Sequence, residues 1–388
     1  MTYEIAPEWV HIQYDEAAQF TEVYGFAGSQ GMVNCEGVRF VPKGVPAKTL
    51  VVFMHPSSTL QLLPLPQALA RAGAHVLCAG SRFARNDTPL IMEKAAIDLG
   101  AYLRHAKENW GYEKVVLCGW SGGGSLALFY QQQAVNPTVT QTPAGDPVNL
   151  SGLPAADAMI FQAAHLSRAR MLAEWLDPSV IDEGNPDRRD LELDIYNPNC
   201  PNQPPYPAEF IARFRAAQLA RMRHKTAWVK ESLETLKKHG GDELERGFVT
   251  YRTMADLRFM DPAIDPNDRK PRTCYLGVPE TANTGPVGIG RFSTLRAWLS
   301  QWSLDDSNAD GLRCAASLSV PLLAIENSAD DAVPQPHVRA IHDAAASTDK
   351  TFRVVNGATH YYQGQPGLLR EAVELCAGWL RERDLWTR

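Results

Sequence analysis

The stretch Val115-Val116-Leu117-Cys118-Gly119-Trp120-Ser121-Gly122-Gly123 decides the fold. Its first four residues form a continuous apolar run, the pattern of a strand covered on both faces, and the glycines that follow bracket a single serine. A chain that leaves such a strand and turns sharply into a helix lifts the corner residue onto an exposed tip. Glycines two residues before and two after it, Gly119 and Gly123, let neighbouring backbones approach without a Cβ clash. The helix beginning at Gly122 directs free N–H groups at any anion forming beside the Ser121 oxygen. The plainer reading is a helix cap, a position that serine favours. A cap needs no glycine on both flanks, so Ser121 is read as an activated nucleophile.

Working outward, strands and helices alternate around this turn. Leu50 to Met54 and Ala74 to Cys78 are buried-strand runs, and Ala156 to Phe161 is another. Helices are expected over residues 60–72, with Pro64 and Pro66 placing the regular part late, over Ile91 to Trp110, and over Gly123 to Ala134. Upstream of about residue 48, Phe20 to Phe26 and Val38 to Val41 read as an antiparallel edge joined through Gly28-Ser29-Gln30-Gly31. The alternation predicts a mostly parallel sheet with right-handed crossovers and helices on its flanks. It stops after His165 and resumes with a strand at Pro321 to Ile325, a helix from Pro336 to Ala346, a strand at Phe352 to Val355 and a helix from Leu368 to Leu385. The intervening residues hold a long helix from Ala208 to about Leu236, an irregular stretch from Asn197 to Pro207 with five prolines, and a short helix from Leu295 to Trp302. An insertion into one sheet accounts for this more simply than a tandem domain. The expected division is a core of 1–165 and 316–388 with an inserted, largely helical cap of 166–315 after the sixth strand.

The chain has 388 residues, 45% of them hydrophobic and 21% charged, with a net charge of −6. This composition is that of a globular protein with a substantial core, and no dense basic stretch invites nucleic acid. No basic leader followed by an apolar core opens the sequence, and no apolar stretch approaches the ~20 residues that span a bilayer. The seven cysteines are dispersed and odd in number, as in a reducing compartment. The expectation is a cytoplasmic protein without a disulfide framework. The sequence leaves the oligomeric state open and is compatible with a homodimer.

A hydroxyl needs a base within hydrogen-bond reach, itself oriented by a third group. Among the ten histidines, His360 is best placed, in the loop that follows the strand Phe352 to Val355. Sites in open α/β sheets assemble at this carboxyl end. Another loop of the same kind, Glu326-Asn327-Ser328-Ala329-Asp330-Asp331-Ala332-Val333-Pro334, supplies the acid, with Asp331 suited to capping the next helix. The order serine, aspartate, histidine resembles the α/β-hydrolase superfamily over about residues 35–165 and 318–388, and Asp330, four residues before Pro334, matches the family pattern better than Asp331. The resemblance implies the α/β-hydrolase fold, a triad of Ser121, Asp330 and His360, and a lid where the insertion falls.

It implies a serine hydrolase that cleaves a carboxylic ester or thioester of a small molecule through an acyl-enzyme, without metal or organic cofactor. Related capped enzymes hydrolyse a carbon–carbon bond next to a ketone with the same residues, and a non-catalytic binding protein on this fold is the reading from another class. Many members carry His-Gly where this chain has His55-Pro56-Ser57-Ser58. Pro56 has no N–H, so the oxyanion donors are expected to be the amides of Gly122 and Ser57, with His55 a structural hydrogen-bonder beneath the turn. Trp120, Ser58 and Tyr361 are expected to touch substrate, and Trp120 suggests a nonpolar or aromatic portion in it. Three other stretches are read as non-functional. Asp190-Leu191-Glu192-Leu193-Asp194 is solvated acidic surface. Gly285 to Gly290 follows no strand and lacks the setting of a dinucleotide loop. The basic helix positions Arg213, Arg215, Arg221, Arg223, His224 and Lys225 form a solvated or salt-bridged face.

Overall fold

The apolar runs pair into one eight-stranded sheet in the computed structural model, which describes residues 2–16, 31–265 and 267–386. The strands are β1 (Ile5–Asp15), β2 (Met32–Pro42), β3 (Thr49–His55), β4 (His75–Gly80), β5 (Lys114–Ser121) and β6 (Ala158–Ala164). A small separate ribbon of β7 (Gly247–Val249) and β8 (Phe292–Thr294) follows, and β9 (Leu322–Asn327) and β10 (Lys350–Val355) complete the main sheet. Its order is β1-β2-β4-β3-β5-β6-β9-β10. Only the pairings made by β2 are antiparallel.

Each central strand serves two cores because its side chains alternate between faces. Leu50, Val52 and Met54 of β3 pack in one cluster with Val115 and Leu117 of β5, while Val51, Phe53, Val116 and Cys118 pack in the other. Helices α1 (Pro64–Arg71), α2 (Met92–Glu108) and α3 (Gly123–Val135) cover the two faces, α2 and α3 on the first and α1 on the second. Pro64 sits in the first turn of α1, where its missing N–H costs no helical bond.

The expected strand at Phe20 to Phe26 and the turn at Gly28 to Gln30 lie outside the described residues. Val38 to Val41 is the end of β2, whose hydrogen-bonded partner is the unanticipated β1. That strand buries Val10 and Ile12, exposes Trp9, and tolerates Pro7 because it lies at the sheet edge.

Between β6 and β9 the chain forms α4 (Arg168–Trp175), α5 (Ala208–His239), α6 (Pro279–Thr284), α7 (Leu295–Ala297), a π-type turn (Trp298–Trp302) and α8 (Gly311–Ala315). Long irregular connections join them. They are held by buried ion pairs such as Arg252 with Asp177 at 2.6 Å and with Asp194 at 2.9 Å. Apolar clusters of this segment's own, one built on Leu172, Met222, Val229, Trp298 and Trp302, stand apart from the sheet cores. Helices α9 (His337–Ala344) and α10 (Pro366–Arg381) close the sheet. Among the described residues no helix is long and apolar enough to cross a membrane.

Candidate active site

Ser121 is the last residue of β5 and holds φ at 50°, a left-handed conformation that non-glycine residues rarely adopt. The strain is local and shared. Trp120 pairs with Gln162, but Ser121 pairs with Ala164, so Ala163 bulges out of β6 with φ 47°. The elbow is tight because helix α3 runs directly over β3: a Cβ on Gly123 would lie 2.4 Å from the Met54 carbonyl oxygen.

His360 and Asp330 emerge from the loops after β10 and β9. The Nδ1–H of His360 donates to Asp330 Oδ2 at 2.9 Å, and both residues are almost wholly buried. The other carboxylate oxygen accepts the amides of Ala332 (2.8 Å) and Val333 (2.7 Å), so the acid is fixed at both ends. The neighbouring Asp331 does not hold the His360 ring; its Oδ1 has no partner, and burial followed by the charge of Asp330 pushes its carboxyl up. Beneath the pair, Gln162 donates to Asn327 (3.0 Å) and to Tyr362 (2.5 Å), while Asn327 donates to the Thr359 carbonyl (2.9 Å). This layer ties the histidine loop to the sheet. The Trp120 ring lies 4.4 Å from that of His360, and Tyr361 packs at 5.5 Å from Trp120.

Ser121 and His360 open on one cavity of about 280 Å³. The core lines it with His55, Ser57, Ser58, Trp120 and Tyr361, and the segment between β6 and β9 contributes Arg168, Met171, Trp175, Tyr275, Arg291 and Trp302. His55 Nδ1 accepts the amides of both Ser57 (3.1 Å) and Ser58 (3.0 Å), so its proton resides on Nε2. A Cβ on Gly122 would lie 2.4 Å from that Nε2. Burial, then the charges of Arg168 and His360, hold the His55 imidazole well below its usual range, keeping it neutral. The Ser57 amide, expected to face an oxyanion, is turned onto His55 instead. Arg168 pairs with Asp87 at 2.7 Å and stacks over Trp302.

Several cavity residues were not anticipated. His165 follows β6 as His360 follows β10, which is the signal that could have found it. The stretch Gly285 to Gly290 lies between α6 and β8, and Pro286 to Ile289 line the cavity. Asp194, expected on a solvated surface, is buried between Arg252 and Arg189 because the irregular connection folds back over it. The basic face of α5 is salt-bridged as expected, with Arg215 on Asp256 and Arg221 and Lys225 on Glu183.

The strand order, the antiparallel second strand and the serine elbow after β5 define the α/β-hydrolase fold. A solved structure described as DcsB in complex with its substrate analogue is similar to this chain at a TM-score of 0.53 and 13% identity, covering 97% of this chain and 99% of that one. Est1E from Butyrivibrio proteoclasticus aligns at 0.47 and 12% identity over 92% and 96% of the two chains. The Paleococcus ferrophilus monoacylglycerol lipase aligns at 0.46 and 14% over 90% and 98%. No protein-family model matches the sequence, and the search of curated proteins returned no match.

Proposed function

We propose that this protein is a serine hydrolase that cleaves a carboxylic ester or thioester of a partly apolar or aromatic small molecule through a covalent acyl-enzyme. The observation that carries this reading is the buried Asp330–His360 pair opening on the same cavity as the strained Ser121. With Nδ1–H committed to Asp330, the free Nε2 of His360 takes the Ser121 proton as the oxygen attacks the substrate carbonyl. The same imidazolium then protonates the leaving alcohol or thiol. Water, deprotonated by His360, attacks the acyl-serine and releases the acid, restoring the hydroxyl.

The oxyanion is assigned to the Gly122 amide and the Nε2–H of His55. What supports His55 over the Ser57 amide is that Ser57 already donates to Nδ1, while the protonated nitrogen sits beside the elbow. Residues 166–315 act as a lid over a core of 1–165 and 316–388, a division supported by the lid's separate apolar clusters and its share of the cavity wall. Trp120 and Tyr361 supply the apolar wall for the substrate.

The test is a panel of p-nitrophenyl esters and acyl thioesters with products identified by mass. Turnover that disappears in Ser121→Ala is expected. Cleavage of a diketone with every ester and thioester left intact would overturn the choice of bond.

A further inference from the structure

Two buried arginines among the described residues pair with no carboxylate, Arg269 and Arg291, and they differ in that Arg269 places its Nε–H on the Asp330 carbonyl and its Nη2 on Gln335 Oε1. Arg82, Arg168, Arg221, Arg252 and Arg258 each face a carboxylate. No carboxylate pairs with Arg291 among the described residues, although it is 5% exposed and lines the cavity of Ser121. Its Nη2 donates to the Asn283 carbonyl at 3.0 Å and more loosely to Thr253 Oγ1 at 3.4 Å, while its Nε–H has no partner. Room for the guanidinium depends on Gly288, where a Cβ would lie 2.5 Å from Nη2. Burial, then Arg221 and Arg252, push its pKa down to about 10, so it remains a cation at neutral pH.

Other unsatisfied atoms belong to the same wall. Trp175 Nε1, Trp302 Nε1 and His165 Nδ1 are buried without partners, and all of these residues line the cavity. Both indole nitrogens can only donate. The carboxylate in the lining, Asp87, is already paired with Arg168. An uncompensated cation among orphaned donors is costly to bury and calls for an anionic acceptor.

We propose that Arg291 holds a carboxylate of the substrate, so that the ester cleaved is that of a dicarboxylic or carboxylate-bearing compound with its second acid remote from the scissile bond. This rests on the hydrolase reading and names its substrate class. The carboxylate belongs either to the acyl part or to the leaving part.

The experiment compares p-nitrophenyl monoglutarate with p-nitrophenyl hexanoate, and 4-acetoxybenzoate with 4-methylphenyl acetate, in the native chain, Arg291→Met and Arg291→Lys. A charged hydrogen bond of ordinary strength predicts that one anionic ester exceeds its neutral counterpart in kcat/KM by about tenfold or more. Arg291→Met should collapse that ratio, and Arg291→Lys should restore part of it. Neutral esters turned over as well as the anionic ones on both sides would overturn the proposal, as would an Arg291→Met variant that loses both kinds alike. Melting of Ser121→Ala with glutarate or benzoate gives a readout free of catalysis. Stabilisation that vanishes when Arg291→Met is added supports the anion site even if no ester is cleaved, which would sink only the hydrolase reading. No stabilisation by either acid, in a protein that shows no anionic preference, overturns the site.

Discussion

Replacing Gly123 with alanine puts one methyl group where the turn carrying Ser121 has no space. The new Cβ would stand 2.4 Å from the Met54 carbonyl oxygen. Met54 is the penultimate residue of β3, fully embedded and paired with Ala79 of β4, so its backbone has no freedom to retreat. An ordinary carbon–oxygen contact requires roughly 1 Å more, and overpacking of a dense core on this scale costs about 1–3 kcal/mol. Gly123 does not occupy a left-handed φ, so the penalty is steric alone. The displacement falls on the turn that carries Ser121, and a shift of about 1 Å in a reacting group lowers turnover roughly 100-fold. Gly378→Ala is the matched control: it lies inside α10 with nothing within 4 Å of the new methyl, and should stabilise by about 0.5–1 kcal/mol. Chemical denaturation and ester kinetics of the two variants provide the comparison. Gly123→Ala with native stability and native kcat/KM would refute the reasoning about the elbow.

The remaining expectations concern the same site. Asp330→Asn should lower kcat by roughly 10⁴-fold by releasing the His360 tautomer, whereas Asp331→Asn should retain most activity; the reverse order in steady-state kinetics would exchange their roles. His55→Gln should reduce kcat by about 10²–10³-fold with KM little changed, and an unaltered kcat would return the oxyanion to the Ser57 amide. Acidification tests the buried imidazoles. Burial, then His337 and Arg168, hold His165 well below its usual range, and burial likewise holds His55 down. The unfolded chain therefore binds protons first, so stability is present above the unperturbed value of about 6.5 and is lost below it, by up to about 1.4 kcal/mol per pH unit for each imidazole. His165→Gln should remove its share, narrowing the gap to the native unfolding free energy below pH ~6.5; parallel curves from pH 7.5 to 5 would contradict this.

What the sequence made legible was local or periodic. The run Val115 to Cys118 announced a doubly covered strand, and the glycines around Ser121 announced its turn, because both are properties of adjacent residues. His360 and the Asp330-Asp331 loop were proposed from their places after strands, and Asp330 over Asp331 from the resemblance to the family pattern. The partnering of His55 was less accessible: its neighbours Ser57 and Ser58 line the cavity, but which of them meets an anion depends on where an imidazole points. Arg291 became visible only through long-range packing, since an arginine's missing carboxylate is a fact about the whole surrounding fold, whereas His165 had a local signal in its place after β6. Strand β1 escaped notice because Pro7 and the polar positions Glu8, His11 and Gln13 dilute its alternation. Asp194 was misplaced on the surface because composition around it is acidic, while its burial is decided by Arg252, far along the chain.

The central claim is that Ser121 is a nucleophile activated by His360. Intact-mass measurement after exposure to a fluorophosphonate tests it most directly. A single adduct on the native chain, mapped to Ser121, absent from Ser121→Ala and formed far more slowly in His360→Ala, is the predicted result. A native chain that acquires no adduct, or acquires one equally fast without the histidine, would contradict the account.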